Sequence, residues 1–139
     1  MIVIEVPAVP IAQPRARATA ISGHARVYEP TKHPVAAFKA TVRLSAKVAY
    51  HGAPLDKPLN VSLVFVMPRP TNLIWKKRDM PRLPHAKKPD ADNLVKSVFD
   101  ALNGLLWVDD SQVHCLSVVK WIASGNEQPH VEIGVEEVA

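Results

Sequence analysis

Pro89-Asp90-Ala91-Asp92-Asn93-Leu94-Val95-Lys96-Ser97-Val98-Phe99-Asp100-Ala101-Leu102-Asn103-Gly104 carries its own start and stop signals. Pro89 keeps Lys88 out of helical geometry, Asp90 is suited to cap the free amides of the turn that follows, and Asn103-Gly104 is a C-terminal stop. With successive residues roughly 100° apart on a helix, Asp92, Lys96, Asp100 and Asn103 fall in one narrow stripe. Leu94, Val95, Val98, Phe99, Ala101 and Leu102 fill the opposite side. The spacing predicts a helix that buries one side and carries a charged ridge on the other.

Upstream of it, residues 60–67 have strand composition, with Val61, Leu63, Phe65 and Met67 facing one way and Val64 and Val66 the other. Between that strand and the helix, residues 68–89 break the pattern. Pro68, Pro70, Pro81, Pro84 and Pro89 alternate there with Arg69, Lys76, Lys77, Arg78, Arg82, Lys87 and Lys88, which reads as one long functional or disordered loop. Downstream, two strands are expected at 112–122 and 130–135, separated by Ser124-Gly125-Asn126. Nearer the N-terminus, Ile2, Ile4 and Val6 alternate with Val3 and Glu5 in a strand closed by Pro7. A first helix is expected over 34–50, with Val35, Phe38, Val42, Ala46 and Ala49 on one side and Lys39, Arg43 and Lys47 on the other, stopped by Gly52. The basic, alanine-rich stretch between Pro10 and Pro30 suits an irregular hairpin about Ser22-Gly23 that carries Arg15, Arg17 and Arg26.

A chain of 139 residues with 47% hydrophobic and 22% charged residues is one globular domain, spanning 1–139, with neither a repeat nor an internal boundary. Its single cysteine, Cys115, excludes an internal disulfide and a four-cysteine zinc site, and suits a reducing cytoplasm. The longest apolar run, 61–67, falls far short of a membrane span, and Glu5, Pro7 and Pro10 argue against a signal peptide. Net charge is +4, but residues 121–139 hold four glutamates and no Lys or Arg. The first 120 residues therefore carry 17 minus 9, or +8, which favours an anionic partner, with nucleic acid the leading candidate.

The acids supply the chemistry. Asp90 and Asp92 stand at the helix start, and Trp107-Val108-Asp109-Asp110-Ser111-Gln112 brings two more just before the next strand. A strand paired near the helix start would place one of Asp109 and Asp110 beside them. Two carboxylates 4 Å apart repel by roughly 4 kcal/mol at an effective dielectric near 20. A helix dipole worth about 0.3–1 kcal/mol does not offset that, so a cation is expected. Oxygen-only ligands suit Mg2+ or Mn2+. A calcium EF-hand is unsuitable, because Val95 and Ala101 stand where its glycine and glutamate would fall. Lys96, one turn beyond Asp92, would hold or stabilise a phosphate. Acidic metal site, lysine and basic flanks together fit phosphodiester hydrolysis.

Each residue also has a plainer reading. Asp90 serves as an ordinary cap, Lys96 as a partner of Asp92 or Asp100, Asp100 as a structural acceptor, and Asp109-Asp110 as a turn. Four such accidents would have to coincide around one helix. The six histidines show no paired zinc-ligand spacing, although His85 lies close to Lys87, Lys88 and Asp90. Trp75, ahead of Lys76-Lys77-Arg78, either stacks on a base or anchors the loop; Trp107 and Trp121 are assigned to the core.

Asp90-Ala91-Asp92-Asn93-Leu94, Lys96, Phe99-Asp100-Ala101-Leu102-Asn103 and Trp107-Val108-Asp109-Asp110-Ser111-Gln112-Val113 resemble the signature of RusA-type Holliday junction resolvases, common in prophages. The match covers about 25 residues, and the order of elements around it is compatible. The resemblance implies Asp90, Asp92 and Asp110 as catalytic and metal-binding carboxylates, with Lys96 assisting. Spacing leaves Asp109 and Asp110 open; the resemblance selects Asp110. It further implies a small α+β domain with two main helices and a mixed or antiparallel sheet, a homodimer, Mg2+ or Mn2+ dependence, and paired nicks across a four-way junction. Arg15, Arg17, Lys76, Lys77, Arg78, Lys87 and Lys88 are the expected DNA contacts, with no small-molecule cofactor and no membrane. A non-catalytic basic nucleic-acid-binding protein with a structural ion, and a general flap or single-strand nuclease, are the rival readings.

Overall fold

The computed structural model describes residues 1–14 and 34–139 in full and the backbone alone of 17–21 and 24–28. Strand β1 (Ile2–Val6) is followed by a two-stranded antiparallel sheet, β2 (Arg17–Ile21) and β3 (His24–Tyr28), and by helix α1 (Val35–Ala49). Then come β4 (Leu59–Met67), the two-residue β5 (Leu83–Pro84), helix α2 (Ala91–Leu102), β6 (Val113–Ile122) and β7 (His130–Glu137). The main sheet has the order β1-β7-β4-β6-β5.

Alternation dictates which sheet face is covered. On β4, Leu59, Val61, Leu63, Phe65 and Met67 are buried, as are Ile4 and Val6 on β1 and Val131, Ile133 and Val135 on β7. Both helices lie over this face. α1 contributes Val35, Phe38, Val42 and Ala46, and α2 contributes Leu94, Val98, Ala101 and Leu102. The opposite face is left more open, exposing Val3, Glu5, Ser62 and Val119. This is a single small α+β domain.

The sheet is mixed because β4 and β6 are parallel while the other pairs are antiparallel. Parallel neighbours require a crossover, and that crossover carries α2. It also carries residues 68–89, which are more ordered than their prolines suggest. Leu83 and Pro84 pair with Ile122 and Trp121, and residues 71–73 form a 3-10 turn. Arg69 ties the segment together, donating from Nε to the Leu73 carbonyl at 2.6 Å and from Nη1 to the carbonyls of Pro81 at 2.8 Å and Ala123 at 3.2 Å. Trp75 is an anchor of this loop. Its ring lies 4.7 Å from the Arg69 guanidinium and 3.8 Å from that of Arg78, and its backbone N–H donates to Met80 Sδ. Trp107 is fully buried, whereas Trp121 is half-buried on the edge-strand pairing.

Candidate nuclease site

α2 begins and ends where its sequence requires. Asp90 is the N-cap in extended geometry, Asn103 closes the last turn with its N–H on the Phe99 carbonyl, and Gly104 takes a positive φ of 77°. Yet the Asp90 side chain makes no cap bond. Its carboxylate is exposed, as are Asp92 and Lys96 farther along the ridge. None of the three joins a salt bridge among the described residues. The plainer readings of Asp90 as a cap and Lys96 as a helix-pair partner are thus not what the geometry displays.

The other acids on this face have structural employment. Asp100 faces Lys39 Nζ of α1 at 3.8 Å. Asp109 caps a 3-10 turn over Asp110–Gln112, accepting from the Ser111 N–H at 3.2 Å, while Gln112 Oε1 accepts from the Asp109 N–H at 2.8 Å. The hydrogen bond from Ser111 holds the Asp109 carboxyl below the usual range. Asp110 is the member of the pair without a capping role, and its Oδ2 accepts from Asn103 Nδ2 at 3.3 Å.

That contact overturns one expectation. Asp110 sits beside the last turn of α2, not the first, so it does not lie beside Asp90 and Asp92 within one chain. Asp90 and Asn103 are 13 residues apart, or about 20 Å along a helix. The strand agrees, because its far end, Lys120, reaches the helix start, and the seven steps from Val113 to Lys120 span roughly 23 Å. A short connection after α2 puts the beginning of β6 at the helix C-terminus, and β6 then runs back toward Asp90. Consistently, no three of His, Cys, Asp and Glu converge on a metal-sized site among the described residues. Asp90 and Asp92 by themselves supply the hard oxygen donors, one or two carboxylates, that suit a largely hydrated divalent ion.

The backbone leading into Asp90 is clamped by Lys120. Its Nζ donates to the carbonyls of Lys87 and Pro89, both at 2.8 Å, while its own carbonyl accepts from the His85 N–H at 3.1 Å. Lys120 is aligned with Phe65 across the β4–β6 ladder, on the helix-covered face. A lysine in an otherwise apolar alternation of Leu116, Val118 and Ile122 was the available sequence signal for this residue, which pattern reading passed over. Burial first, and then the neighbouring Lys120 charge, push His85 down, and its Nδ1 has no partner among the described residues.

A cavity of about 500 Å³ opens at the helix start, lined by Gln13, Pro14, Lys88, Pro89, Asp90 and Asn93. The Gln13 N–H donates to the Asn93 carbonyl at 2.9 Å, so the N-terminal segment is tied to the first turn of α2. Of the expected DNA contacts, Lys76, Lys77, Arg78, Lys87 and Lys88 are exposed, with Lys87 and Lys88 adjoining Asp90. Arg15, and the side chains of Arg17 and Arg26, lie outside the described residues. A larger cavity, about 700 Å³, is lined by Glu5, Arg82, Glu127, His130 and Glu132. Its three carboxylates make it a poor seat for phosphate, and Arg82 is already committed to Glu127 and Glu132.

The exposed carboxylates, the ridge lysine and the basic approach agree with what the chain resembles. It is 33% identical over 135 residues, 94% of this chain and 92% of the relative, to "Uncharacterized protein YqaN" of Bacillus subtilis (strain 168). Residues 7–136 match the family described as endodeoxyribonuclease RusA, a span that takes in both helices, every strand of the main sheet except β1 and the last residue of β7, and Asp90, Asp92, Asp100, Asp109 and Asp110. The chain therefore belongs to the RusA endodeoxyribonuclease family.

Proposed function

We propose that residues 1–139 form one nuclease domain that resolves four-way DNA junctions, a role in recombination and repair, by paired phosphodiester hydrolysis dependent on Mg2+ or Mn2+. The observation that carries the reading is the exposed Asp90 and Asp92 carboxylates near Lys96 at the start of α2, none of the three in an ion pair among the described residues. Two exposed carboxylates two residues apart offer a divalent ion hard oxygen ligands and leave most of its shell to water and phosphate. A divalent ion bound there would supply an activated water and neutralise phosphate charge. Lys96 would face the scissile phosphate, and Lys87, Lys88, Lys76, Lys77 and Arg78 would grip the flanking backbone.

The position of Asp110 gives the homodimer a chemical purpose. Two copies related by a two-fold axis, with their α2 helices antiparallel, would bring the partner's Asp110 to Asp90 and Asp92 and complete both sites together. Half-buried Val95 and Phe99 on α2, and exposed Leu116 on β6, offer apolar surface beside the ridge for such a partner. Junction resolution needs two symmetry-related cuts, which this arrangement would supply. No described helix is long and apolar enough to cross a membrane.

A labelled synthetic four-way junction incubated with and without Mg2+ tests the reading. Symmetric incisions near the branch are expected, suppressed by a chelator. Asp90→Asn should abolish cutting while junction binding persists, because fold and basic surface remain. Cutting by Asp90→Asn at the wild-type rate would overturn the assignment, and a flap or single strand cut as readily as the junction would favour a general nuclease.

A further inference from the structure

We infer that Asn103 is a positioning residue for the Asp110 carboxylate, and that buried Trp107 holds the Asn103 amide in the one orientation able to do this. The inference rests on the reading of Asp110 as a site carboxylate. Trp107 is 0% exposed, so its indole N–H must find an acceptor inside the protein. That acceptor is Asn103 Oδ1, at 2.6 Å. An indole N–H can only donate, so the amide oxygen is obliged to face it. The amide is planar, and its NH2 group is thereby directed away from the indole. Asn103 Nδ2 lies 3.3 Å from Asp110 Oδ2. Turning the amide over would oppose donor to donor at Trp107 and acceptor to carboxylate at Asp110, losing both bonds at once.

The lock is itself immobilised. The Trp107 ring meets Phe99 edge-on with centroids 5.4 Å apart, the Trp107 carbonyl accepts from the Gly104 N–H at 2.7 Å, and Val108 N–H donates to the Leu55 carbonyl at 3.0 Å. The backbone at Asp110 is set separately, by the Asp109 cap and by Gln112, whose Nε2 donates to the carbonyls of Leu55 and Lys57, each at 2.9 Å. Asp109 and Gln112 thus place the main chain, whereas Asn103 orients the carboxylate and engages one of its oxygens.

The test uses three single variants of the full chain and the double variant that combines Asn103→Asp with Trp107→Phe. Asn103→Asp retains an acceptor for Trp107 but replaces the donor facing Asp110 with a carboxylate oxygen; Asn103→Ala removes both contacts; Trp107→Phe frees the amide to turn. Melting temperature, junction affinity, single-turnover cleavage and Mn2+ binding to the DNA-free protein by electron paramagnetic resonance are measured for each. A positioning role predicts cleavage down about 10–100-fold in Asn103→Asp, the range typical of groups that orient metal-site ligands, with melting temperature and junction affinity close to wild type. Asn103→Ala should raise the Mn2+ midpoint several-fold, and Trp107→Phe should add nothing to the cleavage loss of Asn103→Asp. Wild-type cleavage in Asn103→Asp, an unmoved Mn2+ midpoint in Asn103→Ala, or a full additive loss from Trp107→Phe would each overturn it. A wild-type protein that cuts no junction would instead sink the nuclease reading, and the Mn2+ titration reads Asn103 independently of cutting.

Discussion

Lys120 bonds two carbonyls and pairs with no acid among the described residues, an unusual use for the last Lys or Arg in the sequence. Its consequence is positional, because the clamped carbonyls belong to Lys87 and Pro89, on either side of the turn that delivers Asp90. Lys120→Met should leave junction binding near wild type and lower single-turnover cleavage by about 10²-fold, the scale of a misplacement of roughly 1 Å at a reacting centre. Cleavage within two-fold of wild type would show the clamp to be irrelevant to the site. Arg82, just before β5, performs a different task. Its hydrogen bonds hold the Glu127 carboxyl at about 2, against an ordinary value of 4.5. A carboxyl depressed in the folded state contributes stability above its unfolded value and loses it as pH falls through the folded one. Melting temperature should therefore drop as pH falls from 4.5 toward 2, and Glu127→Gln should be less stable at neutral pH but fall less steeply over that window. His130 has the opposite sign. Burial lowers it, but bonds to the Gln128 carbonyl and to Glu132 outweigh burial and raise it, so its contribution is present at acid pH and fades on the alkaline side.

At the scale of the element, α2 has acids with contrasting duties on a single face. Asp92 and Lys96 are exposed and join no ion pair among the described residues, while Asp100 leans toward Lys39 of α1, and Arg43 Nε donates to the Ala101 carbonyl at 3.2 Å across the same helix pair. A partly exposed pair at 3.8 Å stabilises by only about 0.2–1 kcal/mol. Asp100→Asn should therefore move thermal stability by no more than that and keep most of the cleavage, whereas Asp92→Asn should lose it. Equal losses from the two would mean that the whole ridge, not its first turn, carries the chemistry. The same helix shows why its ends were readable in advance. Its start, its stop and its buried stripe of Leu94, Val98, Ala101 and Leu102 depend on neighbours within one or two turns. β5 was missed for the complementary reason. Its two residues, Leu83 and Pro84, are strand only because β6 lies alongside, and a proline is tolerated there at a sheet edge.

For the whole molecule, the deciding feature is the roughly 20 Å of helix between Asp90 and Asp110's neighbour Asn103. If two chains complete each other's sites, mixed dimers of two inactive variants should regain one site. Asp92→Asn and Asp110→Asn, each silent alone, should nick one strand of a junction when co-refolded, because one of the two sites in the mixed dimer would hold an intact set. Continued silence of a mixture shown to contain the mixed dimer would confine the site to one chain. The open edge of β6 bears on the same question. β5 covers only Trp121 and Ile122, and Leu116 and Val119 are each 41% exposed.

Much of the site's inventory followed from amino-acid order: a helix opened by Asp90, a charged stripe, a second acidic pair, and a basic chain with an acidic end. These features arise from spacing and composition, which local backbone geometry and long-range Coulomb forces read directly. The tertiary structure alone decided that Asp109 caps a turn while Asp110 faces Asn103, that Lys120 turns inward to hold the backbone before Asp90, and that Trp75 is gripped between two arginines. It also decided at which end of α2 the later acids arrive. Strand direction and through-space partners depend on how distant segments jointly bury the apolar face of the sheet, and no short window of sequence contains that information.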